Sequence, residues 1–272
     1  MKNIEFIKMH GLGNDFVIID KRKNYIEITK ELIGKLSDRK SGAGCDQLIT
    51  INSNNENNIE ASIDIFNSTG DRAEACGNGT RCVAKLLFSE SNKKEINILS
   101  DSGILSAKKI NSENISVNLG KVSTNWKKIP LSHNIDALNI PIRINGFENG
   151  IAVNVGNPHV VFFGKDIDSV DLNSLGPKIE NHELFPKKTN VEIVEVINRK
   201  KIRMRVWERG VGITLACGSG ACASAYAGIL KNLLDNKIEV ILPRGSLFIE
   251  INKDEAIMTG PAEISFHGSI EI

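Results

Sequence analysis

The chain has 272 residues, of which 41% are hydrophobic, 34 are basic and 33 are acidic, so its formal net charge is +1. Because no long block of one charge sign occurs, we expect neither a nucleic-acid nor a membrane partner, and a small-molecule partner is favoured. No apolar run is long enough to span a bilayer and the first residues lack a secretory signal, so the sequence predicts a soluble cytoplasmic protein with a buried core.

Short strands dominate the predicted secondary structure. Alternating apolar and polar residues predict strands at 17–20, 59–66, 191–197, 202–207, 238–242 and 247–251. Polar stretches predict surface loops at 52–58 and 111–114 and a less ordered connection at 131–139. The expected class is therefore α+β, with β structure in the majority.

Two predicted helices each begin directly after a cysteine. After Cys76, apolar residues at helical spacing form a stripe that consists of Cys82, Val83, Leu86 and Leu87. After Cys217, the corresponding stripe consists of Cys222, Tyr226, Ile229, Leu230 and Leu233. Each of the two cysteines is thus predicted to lie at a helix N-terminus.

The sequence also contains an internal repeat. ACGNGTRCVA, which includes Cys76, recurs 141 residues later as ACGSGACASA, which includes Cys217, and GNDFVIID recurs 143 residues later as GNPHVVFF. A polar residue, Asn67 or Glu208, stands nine residues before each cysteine. A diverged duplication explains this pattern. It predicts two similar domains, residues 1–120 plus 262–272 with Cys76 and residues 121–261 with Cys217.

The five cysteines are an odd number in a chain without an export signal, so we expect reduced thiols rather than a disulfide framework. Taken singly, a free cysteine is usually a small buried hydrophobe. Cys82 and Cys222 lie on the helical stripes and are predicted to belong to the core. Cys45 is predicted to be a loop or packing residue.

The pair Cys76 and Cys217 suggests a particular chemistry. Halves that face each other across a pseudo-twofold axis would place the two thiols opposite each other in a cleft between domains. The free N–H groups of a helix start bind anions and lower the pKa of a nearby thiol. Two thiols on opposite faces of one carbon suit stereoinversion, because one removes the Cα proton while the other delivers a proton to the opposite face. The residues predict a cofactor-independent amino-acid epimerase.

Other polar residues are candidates for holding an amino acid. Hydrogen bonds to its ammonium and carboxylate groups are expected from Asn14, Gln47, Asn67, Asn157 and Asn190, and His159 and Glu208 could tune the ionisation of the thiols. The alternatives stay open at this point. CGNG and CGSG would also serve as helix caps, Asn14 and Asn157 as turn residues, His159 as a core histidine, and Glu208 with Arg209 as a surface ion pair.

Two further kinds of cysteine site fit less well. Cys76 with Cys82 and Cys217 with Cys222 give C-x5-C and C-x4-C, which are looser than the C-x2-C pairs of structural zinc sites. A thiol-disulfide exchange protein usually carries C-x-x-C at one helix start. We therefore expect no metal and no cofactor.

Seven motifs then occur in order along the chain: MHGLGNDF (9–16), GCDQ (44–47), FNSTG (66–70), EACGNGTRC (74–82), VGNPHVV (155–161), WERGVG (207–212) and TLACGSGACA (214–223), with TGPA (259–262) near the end. Together they resemble the diaminopimelate epimerase family. The resemblance implies conversion of LL-2,6-diaminopimelate to the meso form, without pyridoxal phosphate or metal, in bacterial lysine and cell-wall precursor synthesis. It also implies two similar domains, each a β-barrel-like sheet around a central helix, with the active site in the cleft between them, and a homodimer.

The resemblance implies roles for individual residues. Cys76 and Cys217 match the catalytic cysteines, and the helix-start residues that hold the reacting carboxylate are matched by Gly77, Asn78, Gly218 and Ser219. The substrate-contacting positions are matched by Asn14, Gln47, Asn67, Asn157, Asn190, Glu208 and Arg209, and His159 and Glu208 resemble residues that modulate the thiols. Arg209 fits a second, distal carboxylate, which favours a long dicarboxylate substrate.

The chain also departs from the family pattern. FNSTGDRAEA replaces FNADGSEAEM, Ile213 stands where an acidic residue is usual, and Ser219 replaces threonine. Phe266 stands where tyrosine is common near the dimer contact, so the hydrogen bond of a phenol is lost there. A proline-type racemase, which also pairs two cysteines, is the alternative within this chemistry and would need a smaller pocket without a distal arginine.

Overall fold

The computed structural model describes residues 3–73, 76–143 and 146–271, which fold into two compact units. The first unit comprises Met1–Val117 and Gly260–Ile272, and the second comprises Asn118–Thr259. Both boundaries lie within a few residues of the domain limits that the duplication suggests.

In its described residues, the first unit consists of one sheet and two α-helices. The strands are β1 (Asn3–Gly11), β2 (Asn14–Asp20), β3 (Gln47–Asn52), β4 (Ala61–Asn67), β5 (Glu95–Ser100), β6 (Gly103–Lys109), β7 (Asn114–Lys121) and β16 (Glu263–Glu271), and the helices are α1 (Lys30–Ser37) and α2 (Gly77–Ser89). The order across the sheet is β16-β1-β2-β3-β4-β5-β6-β7. Helix α2 packs against β1, β2, β5 and β6 and is the central element of the unit.

The second unit has the same composition. Its strands are β8 (Ile151–Asn154), β9 (Pro158–Phe163), β10 (Asn190–Asn198), β11 (Lys201–Glu208), β12 (Gly212–Thr214), β13 (Lys237–Leu242), β14 (Gly245–Asn252) and β15 (Glu255–Pro261), and its α-helices are α3 (Leu172–Glu180) and α4 (Gly218–Leu230). The order is β15-β14-β13-β11-β10-β9-β8, and β12 pairs with β11. Helix α4 packs against six of these strands and takes the central place.

The pairing of successive strands follows one pattern in both units. In the first, β1–β2 and β3–β4 are antiparallel, whereas β2–β3 and β4–β5 are parallel. In the second, β8–β9 and β10–β11 are antiparallel, whereas β9–β10 and β11–β13 are parallel. The predicted α+β class with two pseudo-symmetric domains is thus confirmed. The strand path of the described residues is open, so the expected barrel-like sheet is not closed.

The predicted strands are confirmed, and each lies within an observed strand or overlaps one. The polar stretch at 52–58 begins at the last residue of β3, and the stretch at 111–114 ends at the first residue of β7. The connection at 131–139 has no helix or strand, but the prediction that it is less ordered is wrong. Leu131 and Ala137 are buried in the core of the second unit, because this segment covers one side of that core.

Both predicted helices begin where the cysteines place them, and the stripe of α2 is buried as expected. The stripe predicted for α4 is wrong in part. Tyr226 is half-buried, Leu230 is exposed, and Leu233 lies beyond the helix end. Helix α4 is built mainly of glycine, alanine and serine and is buried on most sides, so apolar periodicity does not mark one inward face. No helix in the described ranges is long and apolar enough to cross a membrane.

The three cysteines assigned to packing are buried. Cys82 and Cys222 are fully buried, which confirms that they belong to the core, and Cys45 packs in the core of the first unit. Burial raises the pKa of the Cys82 thiol to about 12. Burial also raises the pKa of Cys45. These thiols are therefore protonated and unreactive at neutral pH.

A cluster of charged residues ties the β1–β2 hairpin to the loop before β3. Lys8 Nζ lies 2.6 Å from Asp15, and Arg39 lies 2.7 Å from both Asp15 and Asp46. Burial raises the pKa of the Asp15 carboxyl, but the hydrogen bonds and charges of Arg39 and Lys8 outweigh burial and bring it to about 2. The ionised form of Asp15 therefore stabilises the fold.

We predict that Asp15→Asn lowers the free energy of unfolding at neutral pH by about 2 kcal/mol. Because the folded pKa is depressed, the stabilisation is complete above the unfolded pKa of about 4 and is lost as the pH falls toward about 2, so the two proteins converge in that window. Urea unfolding at several pH values measures the difference. Asp71→Asn, which removes an exposed ion pair with Lys30, is the control and should change little. A difference that does not vary with pH would contradict this account.

Candidate active site

Cys76 and Cys217 occupy the same position in the two units, as N-cap residues of α2 and α4. Each has an extended backbone, and each sulfur accepts a hydrogen bond from the third helical residue. Gly79 N–H donates to Cys76 Sγ over 3.4 Å, and Gly220 N–H donates to Cys217 Sγ over 3.4 Å. Both sulfurs are therefore held beside the free N–H groups of a helix start, which favour negative charge.

The glycine at the third helical position has little room for a side chain in both units. A Cβ on Gly79 would lie 2.5 Å from Ile49 Cδ1, and a Cβ on Gly220 would lie 2.7 Å from Glu192 Oε1. The same Cβ atoms would lie 3.5 Å from Cys76 Sγ and 3.3 Å from Cys217 Sγ. These glycines let the central helix approach the sheet so that the cysteine, the helix start and the strand residues meet.

The structure brings two of the predicted site residues, Asn14 and Asn78, together beside Cys76. Asn14 Oδ1 accepts hydrogen bonds from Asn78 Nδ2 at 3.1 Å and from Cys76 Sγ at 3.8 Å. Asn14 Nδ2 donates to Asp46 Oδ2 at 2.9 Å, and Arg39 pairs with the same carboxylate. Asp46, which the sequence did not single out, thus fixes the Asn14 amide with its oxygen toward the thiol.

Gln47 and Asn67 form a second group in the first unit. They are directly opposite each other on β3 and β4, and Gln47 Nε2 donates to Asn67 Oδ1 at 3.0 Å. On the other side, Gln47 pairs in register with Phe16 of β2. Gln47 Oε1 is buried and has no hydrogen-bond partner among the described residues, so it remains available as an acceptor.

The corresponding row in the second unit consists of His159, Asn190 and Glu208. His159 pairs in register with Asn190, and Glu208 follows Trp207, which pairs with Val191, the residue after Asn190. Asn190 Nδ2 donates to Pro158 O at 2.7 Å, and Asn190 Oδ1 accepts from Arg209 N–H at 2.9 Å. The Asn190 amide therefore ties the start of β9 to the turn that carries Arg209.

Glu208 and Arg209 lie side by side on that turn and make separate contacts. Glu208 accepts a hydrogen bond from the Thr214 hydroxyl, and Arg209 Nη1 donates to Lys187 O at 3.4 Å. Both side chains are partly exposed. At the start of α4, Gly218 is buried and Ser219 is half-buried, with its hydroxyl 3.5 Å from Cys217 Sγ, and at the start of α2, Gly77 is buried.

His159 is completely buried and belongs to a chain of three polar side chains. Its Nε2 lies 2.8 Å from Asn157 Oδ1, and its Nδ1 lies 2.7 Å from Glu192 Oε1. The sequence did not single out Glu192, because alternation along 191–197 assigns it to the solvent side of a half-buried strand. Strand β10 is instead covered by both α3 and α4, so Glu192 is buried. An acidic residue in a central strand would have been the signal.

The environment of Cys217 overturns one expectation. Burial raises the pKa of Cys217 well above the ordinary range, and the carboxylates of Glu208 and Glu192 raise it further. The Ser219 hydroxyl and the Gly220 N–H act in the opposite direction but do not compensate. The prediction that a helix start brings this thiol toward neutrality is therefore wrong, because loss of solvation outweighs the helix N-terminus.

The sequence matches the family model described as "Diaminopimelate epimerase" over residues 6–125 and 151–265. The chain belongs to the diaminopimelate epimerase family. Two relatives that carry this name cover nearly the whole chain. One, from Pelagibacter ubique (strain HTCC1062), is 48% identical over 95% of this chain and 96% of its own length. Another, from Zymomonas mobilis, is 42% identical over 98% of this chain and 97% of its own length.

Solved structures share the fold of this family member. A hydroxyproline epimerase from Agrobacterium vitis superposes with a TM-score of 0.74 at 10% identity, over 98% of this chain and 92% of that one. A PhzF-family phenazine biosynthesis protein from Bacillus anthracis superposes with a TM-score of 0.70 at 13% identity, and both chains are completely covered. These likenesses establish the architecture and not the substrate.

We predict that Gly220→Ala lowers the free energy of unfolding by about 1–3 kcal/mol, because the added methyl group displaces the buried Glu192 carboxylate. Gly34→Ala in α1 is the matched control. No atom outside its neighbours and the backbone of the helix lies within 4 Å of its Cβ position, so alanine should stabilise the helix by about 0.5–1 kcal/mol. Thermal and urea unfolding of both variants give the comparison. A Gly220→Ala protein as stable as the unchanged one would contradict the close approach described above.

Proposed function

We propose that this chain interconverts LL-2,6-diaminopimelate and meso-diaminopimelate, with Cys76 and Cys217 as the base and acid and without a cofactor. The observation that carries the proposal is that the two cysteines cap equivalent helices in the pseudo-symmetric units of a diaminopimelate epimerase family member. Such a reaction belongs to lysine and cell-wall precursor synthesis in the cytoplasm, and cell fractionation with an antibody would test the location.

The proposed reaction is a proton exchange at one carbon. A thiolate removes the Cα proton and becomes a thiol, and the other thiol gives its proton to the opposite face and becomes a thiolate. The two cysteines then have exchanged roles, which is what the reverse reaction requires. Removal of the weakly acidic Cα proton needs stabilisation of the negative charge that develops on the carboxylate. The N–H groups of Gly77, Asn78, Gly218 and Ser219 at the two helix starts supply it in this proposal.

The remaining residues hold the substrate and tune the thiols in this proposal. Asn14 and Asn157 are counterparts that lie near Cys76 and His159 respectively, which supports a role in binding the reacting centre. Hydrogen bonds to the other polar groups come from Gln47, Asn67, Asn190 and Glu208, and Arg209 binds the distal carboxylate. His159 and Glu208 modulate ionisation. Ser219 keeps the hydroxyl of the threonine that it replaces, and Ile213 is exposed on β12, where it pairs with Trp207.

We predict that LL-diaminopimelate incubated with this protein in deuterated water gives meso product that carries one deuterium at the inverted Cα. Label appears in the product before it appears in the remaining substrate, because the acid that protonates the carbon exchanges with solvent. Mass spectrometry and NMR of early time points measure both. Labelling of proline instead would favour a proline-type racemase and would contradict the proposal.

The same assay tests the two thiols one at a time. Cys76→Ala and Cys217→Ala should each reduce epimerisation by about 10²- to 10⁴-fold, the range for loss of a general acid or base. Cys45→Ala removes a buried thiol outside the site and is the control that should keep near-normal turnover. Near-normal turnover in either of the first two variants would rule out the two-thiol mechanism.

We also propose that the chain forms a homodimer through the outer face of β16. Ile264 and Phe266 are exposed on this strand, and the Phe266 ring packs edge-on against Phe6 with ring centroids 6.1 Å apart. Exposed apolar side chains on one strand are typical of an interface.

Phe266→Lys is expected to shift the sedimentation of the protein from dimer to monomer, whereas Phe248→Lys, on the exposed side of β14, should not. A monomeric unchanged protein would refute the dimer.

A further inference from the structure

The two helix starts are alike, but the residues behind them differ in character. The position two residues after Gln47 in β3 is Ile49, and the position two residues after Asn190 in β10 is Glu192. Each lies against the glycine at the third helical position, Ile49 against Gly79 and Glu192 against Gly220. One unit therefore places a methyl group, and the other a carboxylate, beside its catalytic helix.

The strand neighbour of this position differs in the same way. Phe16 of β2 and His159 of β9 are counterparts, since each pairs in register with the first residue of the next strand. Phe16 Cε1 lies 3.3 Å from the Cβ position of Gly79. The apolar pair Phe16 and Ile49 is thus replaced in the second unit by the polar pair His159 and Glu192.

Packing alone does not explain the polar pair. Glu192 is completely buried, and its Oε2 has no hydrogen-bond partner among the described residues. An unsatisfied buried carboxylate oxygen costs stability. The first unit shows that an isoleucine fills the equivalent place, so the carboxylate serves a purpose other than filling volume.

The Glu192 carboxylate lies beside both His159 and the start of α4. His159 Nε2 lies 2.8 Å from Asn157 Oδ1, and His159 Nδ1 lies 2.7 Å from Glu192 Oε1. Glu192 Oε1 also lies beside Gly220, whose N–H binds Cys217 Sγ. The carboxylate is therefore held on the same side of the helix start as the sulfur.

Two carboxylates and two donors surround Cys217. Glu208 of β11 and Glu192 of β10 oppose a negative charge on the sulfur, and the Ser219 hydroxyl and Gly220 N–H favour it. With the thiol buried, the first effect prevails and the pKa of Cys217 is raised. The geometry also favours the neutral thiol, because the buried Glu192 carboxylate would repel a thiolate formed nearby.

We propose that Glu192 is a positioning residue for Cys217, which, together with His159, keeps this cysteine a neutral thiol before substrate binds. The inference rests on the proposed two-thiol function and assigns which cysteine starts as the thiol and which as the thiolate. Cys217 begins as the proton donor: its S–H bond breaks as the new C–H bond forms on the substrate, and the proton taken from the other face ends on Cys76. The duplicated site is thus chemically unequal although its two helix starts are alike.

The test measures the thiols directly and needs no turnover. Glu192→Gln, Glu195→Gln and the unchanged protein are treated with iodoacetamide across a range of pH, and the modification of Cys217 and Cys76 is counted separately by peptide mass spectrometry. Loss of the carboxylate lowers the pH at which Cys217 ionises. In Glu192→Gln, Cys217 is therefore expected to react about 3- to 10-fold faster at a fixed, mildly alkaline pH, whereas Cys76 changes less than about 2-fold.

Glu195→Gln is the matched control, because Glu195 lies on the same strand and pairs with Arg203 at 3.0 Å. Its Cys217 profile should equal that of the unchanged protein. An unshifted Cys217 profile in a folded Glu192→Gln protein, or an equal shift in Glu195→Gln, would overturn the proposal. Circular dichroism and thermal unfolding establish that each variant is folded.

Glu192→Asp carries the test if Glu192→Gln does not fold. It keeps the negative charge but moves it away from Cys217 by the length of one methylene. The pH profile of Cys217 modification is therefore expected to shift in the same direction by a smaller amount. An unshifted profile would overturn the proposal. The outcome is separable from that of the proposed function. If the unchanged protein does not label diaminopimelate but Glu192→Gln shifts the Cys217 profile, only the proposed reaction is refuted. If the unchanged protein labels diaminopimelate but the Cys217 profile does not shift, only the role of Glu192 is refuted.

Discussion

A hydrogen bond from a backbone N–H to a cysteine sulfur organises each unit. The sulfur caps the central helix, and the glycine three residues later lets the helix lie close to the strand behind it, because a Cβ there would crowd the side chain of Ile49 or Glu192. The helix must therefore lie close to the sheet, and the sheet must wrap around it. Because the helix lies close to the sheet, the candidate residues on β2, β3, β4 and their counterparts lie near the helix start.

Once the helix start is fixed, the strand register determines which residues surround it. Phe16, Gln47 and Asn67 form one row, and His159, Asn190 and Glu208 form the other. A duplication copies the backbone pairing, but each side chain is free to diverge. The result is a shared frame in which Phe16 and Ile49 lie behind one helix start and His159 and Glu192 lie behind the other, so equal backbone geometry carries different side chains.

Much of this arrangement follows from local sequence patterns. The repeat locates both cysteines and both helices, since the glycines and the apolar spacing after each cysteine are local signals. The features that escape prediction are those set by tertiary burial. Glu192 alternates like a solvent-facing residue until α3 and α4 cover both faces of β10, and Tyr226 and Leu230 follow a helical period that does not apply to α4. The ionisation of Cys217 likewise depends on how much water the folded unit excludes, which the motif CGSG does not encode.

The small residues of α4 have a consequence for protein engineering. Alanine, glycine and serine allow the surrounding strands to approach on most sides of the helix, so little spare volume remains there. Enlarging a buried residue of this helix would displace the strands that pack against it. A redesign of substrate preference is therefore better directed at the turn that bears Arg209, where the Arg209 side chain is partly exposed.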